Sequence, residues 1–136
     1  MATTFHVELI TPEKHLLSAE VVHVRAPGAG GEFGVLANHS PMVAGLGAGR
    51  LQIDFPGHKE EFAIGGGYFT VENNRVIILA ETCFRKSEID VARAKQDKLD
   101  AQKRIENAEN AAERDEARSA YNRYNALVQV AEHKSD

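Results

Sequence analysis

The chain has 136 residues, 43% hydrophobic and 26% charged, which fits one ordinary domain or two small ones that fold and stay soluble. A formal net charge of −4, with no basic tail or lysine block, speaks against sequence-independent nucleic-acid binding, which needs clustered Lys and Arg to neutralise phosphates. A single cysteine, Cys83, excludes an internal disulfide, and no apolar run approaches the roughly 20 residues of a membrane-spanning helix.

The first element is a strand pattern. In FHVELI, Phe5, Val7 and Leu9 alternate with His6 and Glu8. This start lacks the basic-then-apolar layout of a secretory signal and is poor in Arg and Ser, so neither a signal nor a transit peptide is expected. VVHVRA places Val22 and Val24 opposite His23 and Arg25. Residues 28–49, GAGGEFGVLANHSPMVAGLGAG, then hold seven glycines. The dinucleotide spacing fails because Phe33 occupies the next required glycine position, and the mononucleotide spacing fails because no Lys follows any of these glycines. Turns and strands are expected there, not a phosphate cradle. Phe33, Val35, Leu36 and Met42 stand among those turn residues, as core or as a patch for a partner. His39, before Ser40-Pro41, either fixes the loop by hydrogen bonding or contacts a partner.

RLQIDF puts Leu51, Ile53 and Phe55 on one face. Pro56-Gly57 predicts a type II or related turn, and Asn73-Asn74 a hairpin turn in left-handed conformations. Gly65-Gly66-Gly67 predicts a bulge or a close backbone crossing. Glu60-Glu61 reads as a solvated hairpin flank, and Cys83, within VIILAETCFR, as a buried inert thiol. About eight to ten short strands fit into the first 86 residues, which suggests a sandwich or flattened barrel.

Composition breaks near residue 88. All eleven glycines and all four prolines lie before residue 68, and ten alanines lie between Ala92 and Ala131. Helix is therefore expected in 87–136, after a β part in 1–86. Ser87 is a candidate N-cap, with Glu88 and Asp90 in the first turn. One helix is expected over about 88–107, with Ala94, Ala101, Ile105 and Ala108 on a stripe flanked by Ile89, Ala92 and Leu99. A second is expected over about 112–132, with Ala117, Ala120, Tyr121, Tyr124, Leu127, Val128 and Ala131. Asn107 and Asn110 can end one and start the next, and the same letters tolerate a continuous helix. A hairpin would be roughly 30 Å long, against about 68 Å for one helix of about 45 residues. An alanine seam buries little area, so at ~25 cal/mol/Å² only a few kcal/mol hold it, a gap that a ligand or partner can move, although spacing alone favours a hairpin that never opens.

No catalytic constellation emerges: there is no G-x-S-x-G, no H-E-x-x-H and no paired-cysteine metal site. The six histidines are scattered. His6 and Glu8 share a strand face and could in principle share a metal, but polar residues on a strand surface fall together by chance, and no metal site is expected.

Four segments together resemble the epsilon subunit of bacterial rotary (F-type) ATP synthases over essentially the whole chain. TPEKHLLSAEVVHVRAPGAGGEFGVLANHSPMVAGLGAGRL is similar to the family's G-E-x-G-I-x-P-G-H-x-P region and its following glycine turn. GGGYFTVENNRVIILAE is similar to its S-G-G-x-x-E-V hairpin. SEIDVARAK matches its I/L-D-x-x-R-A signature at Ile89, Asp90, Arg93 and Ala94, and the alanine-rich tail is the fourth segment.

The resemblance implies a β-sandwich of about ten strands followed by a helical hairpin, in a non-catalytic rotor subunit. It implies seating on the gamma subunit and the c-subunit ring, and transmission of torque between proton flow and ATP synthesis. It also implies inhibition of ATP hydrolysis by helices extended towards alpha and beta. The location implied is peripheral, on the cytoplasmic side of a bacterial membrane, without insertion into lipid. Glu32 matches the acidic residue facing the ring and His39 the histidine near gamma, with Phe33, Val35, Leu36, Pro41 and Met42 around them. Ala37-Asn38 replaces the family's Pro-Gly, and Asn still tolerates the left-handed conformation.

In some members ATP holds the hairpin folded. Ile89, Asp90, Arg93, Ala94 and Arg123 are the corresponding positions here, although Asp100 and Ser119 stand where arginines would strengthen phosphate binding. From the residues alone, Asp90 and Arg93 equally read as a helix-start acid and an i,i+3 ion pair. No other cofactor is implied. Lys103, Arg104, Arg114, Arg118 and Arg123 are candidates for docking on acidic catalytic-subunit surfaces, though acids outnumber bases in the tail. The competing readings are a free-standing sensor with an ATP-responsive lid and a carbohydrate-binding or adaptor sandwich. The second of these suffers from the absence of Trp.

Overall fold

The computed structural model describes residues 3–134. The strands are β1 (Phe5–Ile10), β2 (His15–Val21), β3 (His23–Gly28), β4 (Gly31–Val35), β5 (Met42–Phe55), β6 (His58–Glu72), β7 (Arg75–Ala80) and β8 (Cys83–Arg85). A 3₁₀ turn (Lys86–Glu88) leads to helices α1 (Val91–Glu106) and α2 (Ala111–Glu132). The described residues thus hold eight strands, within the about eight to ten that the alternation suggests and fewer than the about ten that the resemblance implies. The reason is that β5 and β6 run unbroken through glycine clusters that look like turns.

All eight strands belong to one sheet, in the order β2-β1-β7-β6-β5-β3-β4, with β8 pairing on β6. Only the β1–β7 pair is parallel. The sheet folds over on itself because β5 and β6 change face part-way. In β6, Phe62 and Ile64 point into the core before the glycines, and Phe69 and Val71 after them. In β5, Leu46 points inward on one side of the bend, and Leu51 and Ile53 on the other. Side chains alternate with period two, so this change from even to odd requires one extra residue in each strand. Gly66 and Gly67 provide it in β6, with φ of 108° and 144°, in the left-handed region that side chains rarely adopt. The core between the folded halves is led by Phe5, Phe62 and Phe69, with Leu9, Leu51, Ile53 and Ile78.

Both expected turns form. Phe55 pairs with His58 across Pro56-Gly57, and Glu72 pairs with Arg75 across Asn73-Asn74, whose φ values are 52° and 59°. Val22 departs from expectation. It lies between β2 and β3 and donates its N–H to the Asp54 carbonyl at 2.8 Å, while Val21 and Val24 fill the core.

The helices form the expected hairpin with shifted caps. Asp90, not Ser87, caps α1: its carboxylate accepts the Arg93 N–H at 3.1 Å. Asn107 closes α1, and Asn110 caps α2 by accepting the Glu113 N–H at 2.8 Å. Helix α2 buries two faces. Ala117, Ala120 and Val128 lie on the expected stripe; Ala126 and Val130, buried as well, lie roughly opposite at 100° per residue. This second face serves the sandwich, because α2 packs on β5 and β6 as well as on α1.

Candidate functional site

The turn-rich segment places its candidate residues unequally. Glu32 stands near the tip of the β3–β4 hairpin, where Arg25 Nε meets its Oε1 at 3.2 Å with both side chains about half exposed. Phe33 turns back on the core and meets Phe69 edge-on, with centroids 5.0 Å apart. Val35 is only 1% exposed, so it supports the segment from within and offers no surface to a partner. It sits directly across from Val24, in the part of β4 whose alternation points inward. Met42 also packs against the core, whereas Leu36 is 63% exposed and Pro41 stands in solvent.

The loop between them is fixed by polar contacts. Asn38 is left-handed (φ 64°), and its N–H donates to Asn74 Oδ1 at 2.7 Å. Asn74 Nδ2 donates in turn to the Thr4 carbonyl at 3.1 Å. His39 donates its N–H to the Leu36 carbonyl at 3.3 Å and its Nδ1–H to the Ser40 carbonyl at 2.7 Å. One side-chain amide therefore ties the loop to the β6–β7 turn and the start of β1.

Beside this loop lies a surface that the sequence reading did not assemble. Strand register sets Ile10, Leu79, Tyr68 and Gly45 in one row across β1, β7, β6 and β5. The next row is Glu8, Ile77, Thr70 and Val43. Val43 is 76% exposed, Tyr68 61% and Leu79 45%. An outer sheet face carrying three exposed large apolar residues within two rows is the kind of contiguous patch that marks an interface. The outward positions of Val43 and Leu79 are visible in sequence only once the bend in β5 and β6 fixes which parity faces out.

The hairpin gathers the other candidates. Ile89, Asp90, Arg93, Ala94 and Arg123 line one cavity of about 410 Å³ between α1, α2 and the sheet, together with Ala63, Thr82, Phe84 and Tyr124. Asp90 and Arg93 do not form a side-chain pair there. Asp90 is spent on the N-cap, and Arg93 Nε meets Asp97 Oδ1 at 3.2 Å. Three carboxylates, on Glu88, Asp90 and Asp97, face the two arginines. Arg123 lies over Gly65, where any Cβ would meet its Cδ at 2.9 Å. It is therefore laid on the sheet and separate from Lys103, Arg104, Arg114 and Arg118, which are exposed around the hairpin turn.

Residues 4–86 match the model of the ATP synthase delta/epsilon chain β-sandwich domain. The chain belongs to the ATP synthase delta/epsilon family. It is 46% identical to the ATP synthase epsilon chain of Anaeromyxobacter sp. (strain Fw109-5) over 99 residues, 73% of this chain and 75% of that one. Over 130 residues it is 35% identical to the epsilon chain of Nitratidesulfovibrio vulgaris (strain DP4), covering 96% of this chain and 97% of that one. Its fold matches a chain in the Euglena gracilis mitochondrial ATP synthase with a TM-score of 0.83 at 23% identity, over 96% of this chain and 82% of that one. A chain in the Tetrahymena thermophila central stalk and c-ring gives 0.66 at 18% identity, over 96% and 98%.

Two further groups of this delta/epsilon chain carry chemical character. Ser18 Oγ lies 3.1 Å from His6 Nε2, and His6 Nδ1 lies 2.9 Å from Glu20 Oε2. The order is that of a nucleophile, base and acid, but it crosses an open strand face where nothing shields a reaction from water. His6 thus engages Glu20 and not a metal shared with Glu8; among the described residues no group of three His, Cys, Asp or Glu is placed to hold an ion. Cys83 packs against the core, and burial pushes its thiol up to about 12, with Arg85 opposing and Glu88 adding slightly. The thiolate is the reactive form, so at pH 8.5 the native chain should be alkylated by iodoacetamide at least ~10 times more slowly than the urea-unfolded chain. Equal rates would show an open thiol.

Proposed function

We propose that the chain is the epsilon-type, non-catalytic rotor subunit of a proton-translocating ATP synthase. The strand part seats on the central-stalk gamma subunit and on the ring of c subunits, and so couples proton flow to ATP synthesis. The helices inhibit ATP hydrolysis by extending towards alpha and beta. The observation that carries this reading is the division of labour between two outer sheet faces. One, with Tyr68, Leu79 and Val43, is apolar and open. The other lies beneath the hairpin. A subunit that grips a shaft and carries a movable arm needs both.

Gamma is assigned to the apolar face, and the polar loops of the c ring to the Glu32 tip. Membrane location then comes through the complex, peripheral on the cytoplasmic side of a bacterial membrane; among the described residues no helix is long and apolar enough to cross one. Lys103, Arg104, Arg114 and Arg118 lead the extended arm towards acidic catalytic-subunit surfaces. Gathering Ile89, Asp90, Arg93, Ala94 and Arg123 around one cavity favours a nucleotide there, but the excess of carboxylates opposes a triphosphate, so regulatory ATP is not required by the proposal.

The test is an ATP synthase reconstituted with residues 1–86 in place of the full chain. Hydrolysis should rise several-fold while the complex still assembles. An unchanged rate removes the inhibitory role, and failure to assemble with gamma removes the rotor role.

A further inference from the structure

Beneath the C-terminal end of α2 lies a buried carboxylate that the rotor reading does not use. Glu61 is 7% exposed and is the sole buried polar residue among the described residues. Its position follows from β6: Phe62 and Ile64 face the core, so Glu61 and Ala63 face outward, and the hairpin covers both.

Three cationic or ionisable groups from three places converge on it. Arg50 of β5 reaches Glu61 Oε1 at 2.9 Å, and Lys86 of the 3₁₀ turn reaches Oε2 at 3.0 Å. His133, the C-cap of α2, brings Nδ1 to 2.7 Å from Oε1. Lys86 Nζ also donates to the His133 carbonyl oxygen.

The last carbonyls of a helix lack partners within it and carry the negative end of its dipole, so a cation there both satisfies and attracts them. A carboxylate removed from water needs every partner it can keep. Glu61 and Lys86 together therefore recognise the end of α2 through two separate groups of one residue, its ring and its carbonyl. This differs in kind from the alanine seam between the helices, which holds α2 to α1 and leaves the sandwich out.

We propose that the Glu61–Lys86–His133 cluster is a latch that holds the hairpin against the sandwich and sets how readily it leaves. The latch rests on the reading above, in which the hairpin moves. It sits at the end of α2 far from the Asn107–Asn110 turn, so release starts at the C-terminal end of α2 and leaves α1 and α2 paired with each other. Lys95 and Glu132, 2.9 Å apart, keep that same end of α2 tied to α1 as it departs.

The experiment is amide hydrogen exchange on the full chain, comparing wild type with His133→Ala, His133→Lys and Lys86→Gln. His133 is an exposed position outside the strand core, so its replacement leaves β1 and β7 as internal standards. In His133→Ala the Ala126 and Val130 amides should exchange about tenfold faster while those of Val7 and Ile78 are unchanged. Lys86→Gln should act in the same direction, and His133→Lys should restore protection by returning a donor to Glu61. Unchanged exchange at Ala126 and Val130 in His133→Ala overturns the latch, as does acceleration that spreads equally to Val7 and Ile78. The same His133→Ala chain in the assembled synthase separates the two ideas. Faster α2 exchange with hydrolysis unaltered keeps the latch and removes the inhibitory reading.

Discussion

Gly67→Ala is expected to destabilise the chain by about 3–5 kcal/mol, enough to leave little folded protein at 37 °C, through two independent penalties. The first is backbone strain: Gly67 has φ of 144°, which an L side chain adopts only at a cost of ~1–3 kcal/mol. The second is steric. A Cβ on Gly67 would overlap the carbonyl oxygen of Leu79 and crowd Ala80 Cα at 3.0 Å. Those neighbours are backbone, and they cannot step aside. Leu79 is in register with Tyr68 on one side and Ile10 on the other, so moving it disturbs β6, β7 and β1 together. The position is also where β6 changes the face it turns to the core, so a relaxed bulge would misdirect Phe69 and Val71. Gly30→Ala is the control, because nothing lies within 4 Å of its added Cβ; it should change stability by less than ~0.5 kcal/mol. Urea unfolding followed by circular dichroism measures both. A Gly67→Ala chain within ~1 kcal/mol of wild type would show that the β6 bend tolerates a side chain, against the geometry.

What was legible in the sequence was local. The alternation of Phe5, Val7 and Leu9 specified β1 without reference to any partner, and Pro56-Gly57 and Asn73-Asn74 carried their own turn geometry. Asn110 marked the hairpin turn because its side chain caps a helix start by itself, and Asn107 closes α1 just before it. What was not legible depends on elements that meet only in the fold. Glu61 reads as a solvated flank until α2 is laid over it. The run Phe62-Ala63-Ile64, apolar at both parities, was the available sign that this part of β6 is buried on two sides. Ala126 and Val130, off the main stripe of α2, were the matching sign on the helix. The turn residues around Val35 leave core and surface both open in the sequence, and only the pairing with Val24 turns it inward. The apolar outer face was hidden because its members come from four strands, and their common orientation depends on the bend at the glycines.

That face is where the largest functional effect is expected. Tyr68→Glu combined with Val43→Asp should weaken binding to the gamma subunit by at least about 100-fold while the chain keeps its fold. Both side chains point into solvent, so the isolated protein loses little packing and should unfold within ~1 kcal/mol of wild type. With gamma seated on this face, as proposed, the two positions lie inside a dry contact. A carboxylate placed there loses its hydration and finds no partner, a penalty of several kcal/mol in addition to the lost aromatic anchor. Register makes the pair act as one site, since Tyr68 stands across from Gly45 and Val43 lies two residues along the same strand. Leu99→Glu on α1 is the matching control: equally apolar and exposed, on the arm and away from the seat, it should leave gamma affinity unchanged. Surface plasmon resonance on purified gamma reads all three chains. Wild-type affinity in the double variant would mean that the rotor grips this subunit elsewhere. Loss in the Leu99→Glu chain as well would mean that the hairpin, and not the sheet, makes the contact.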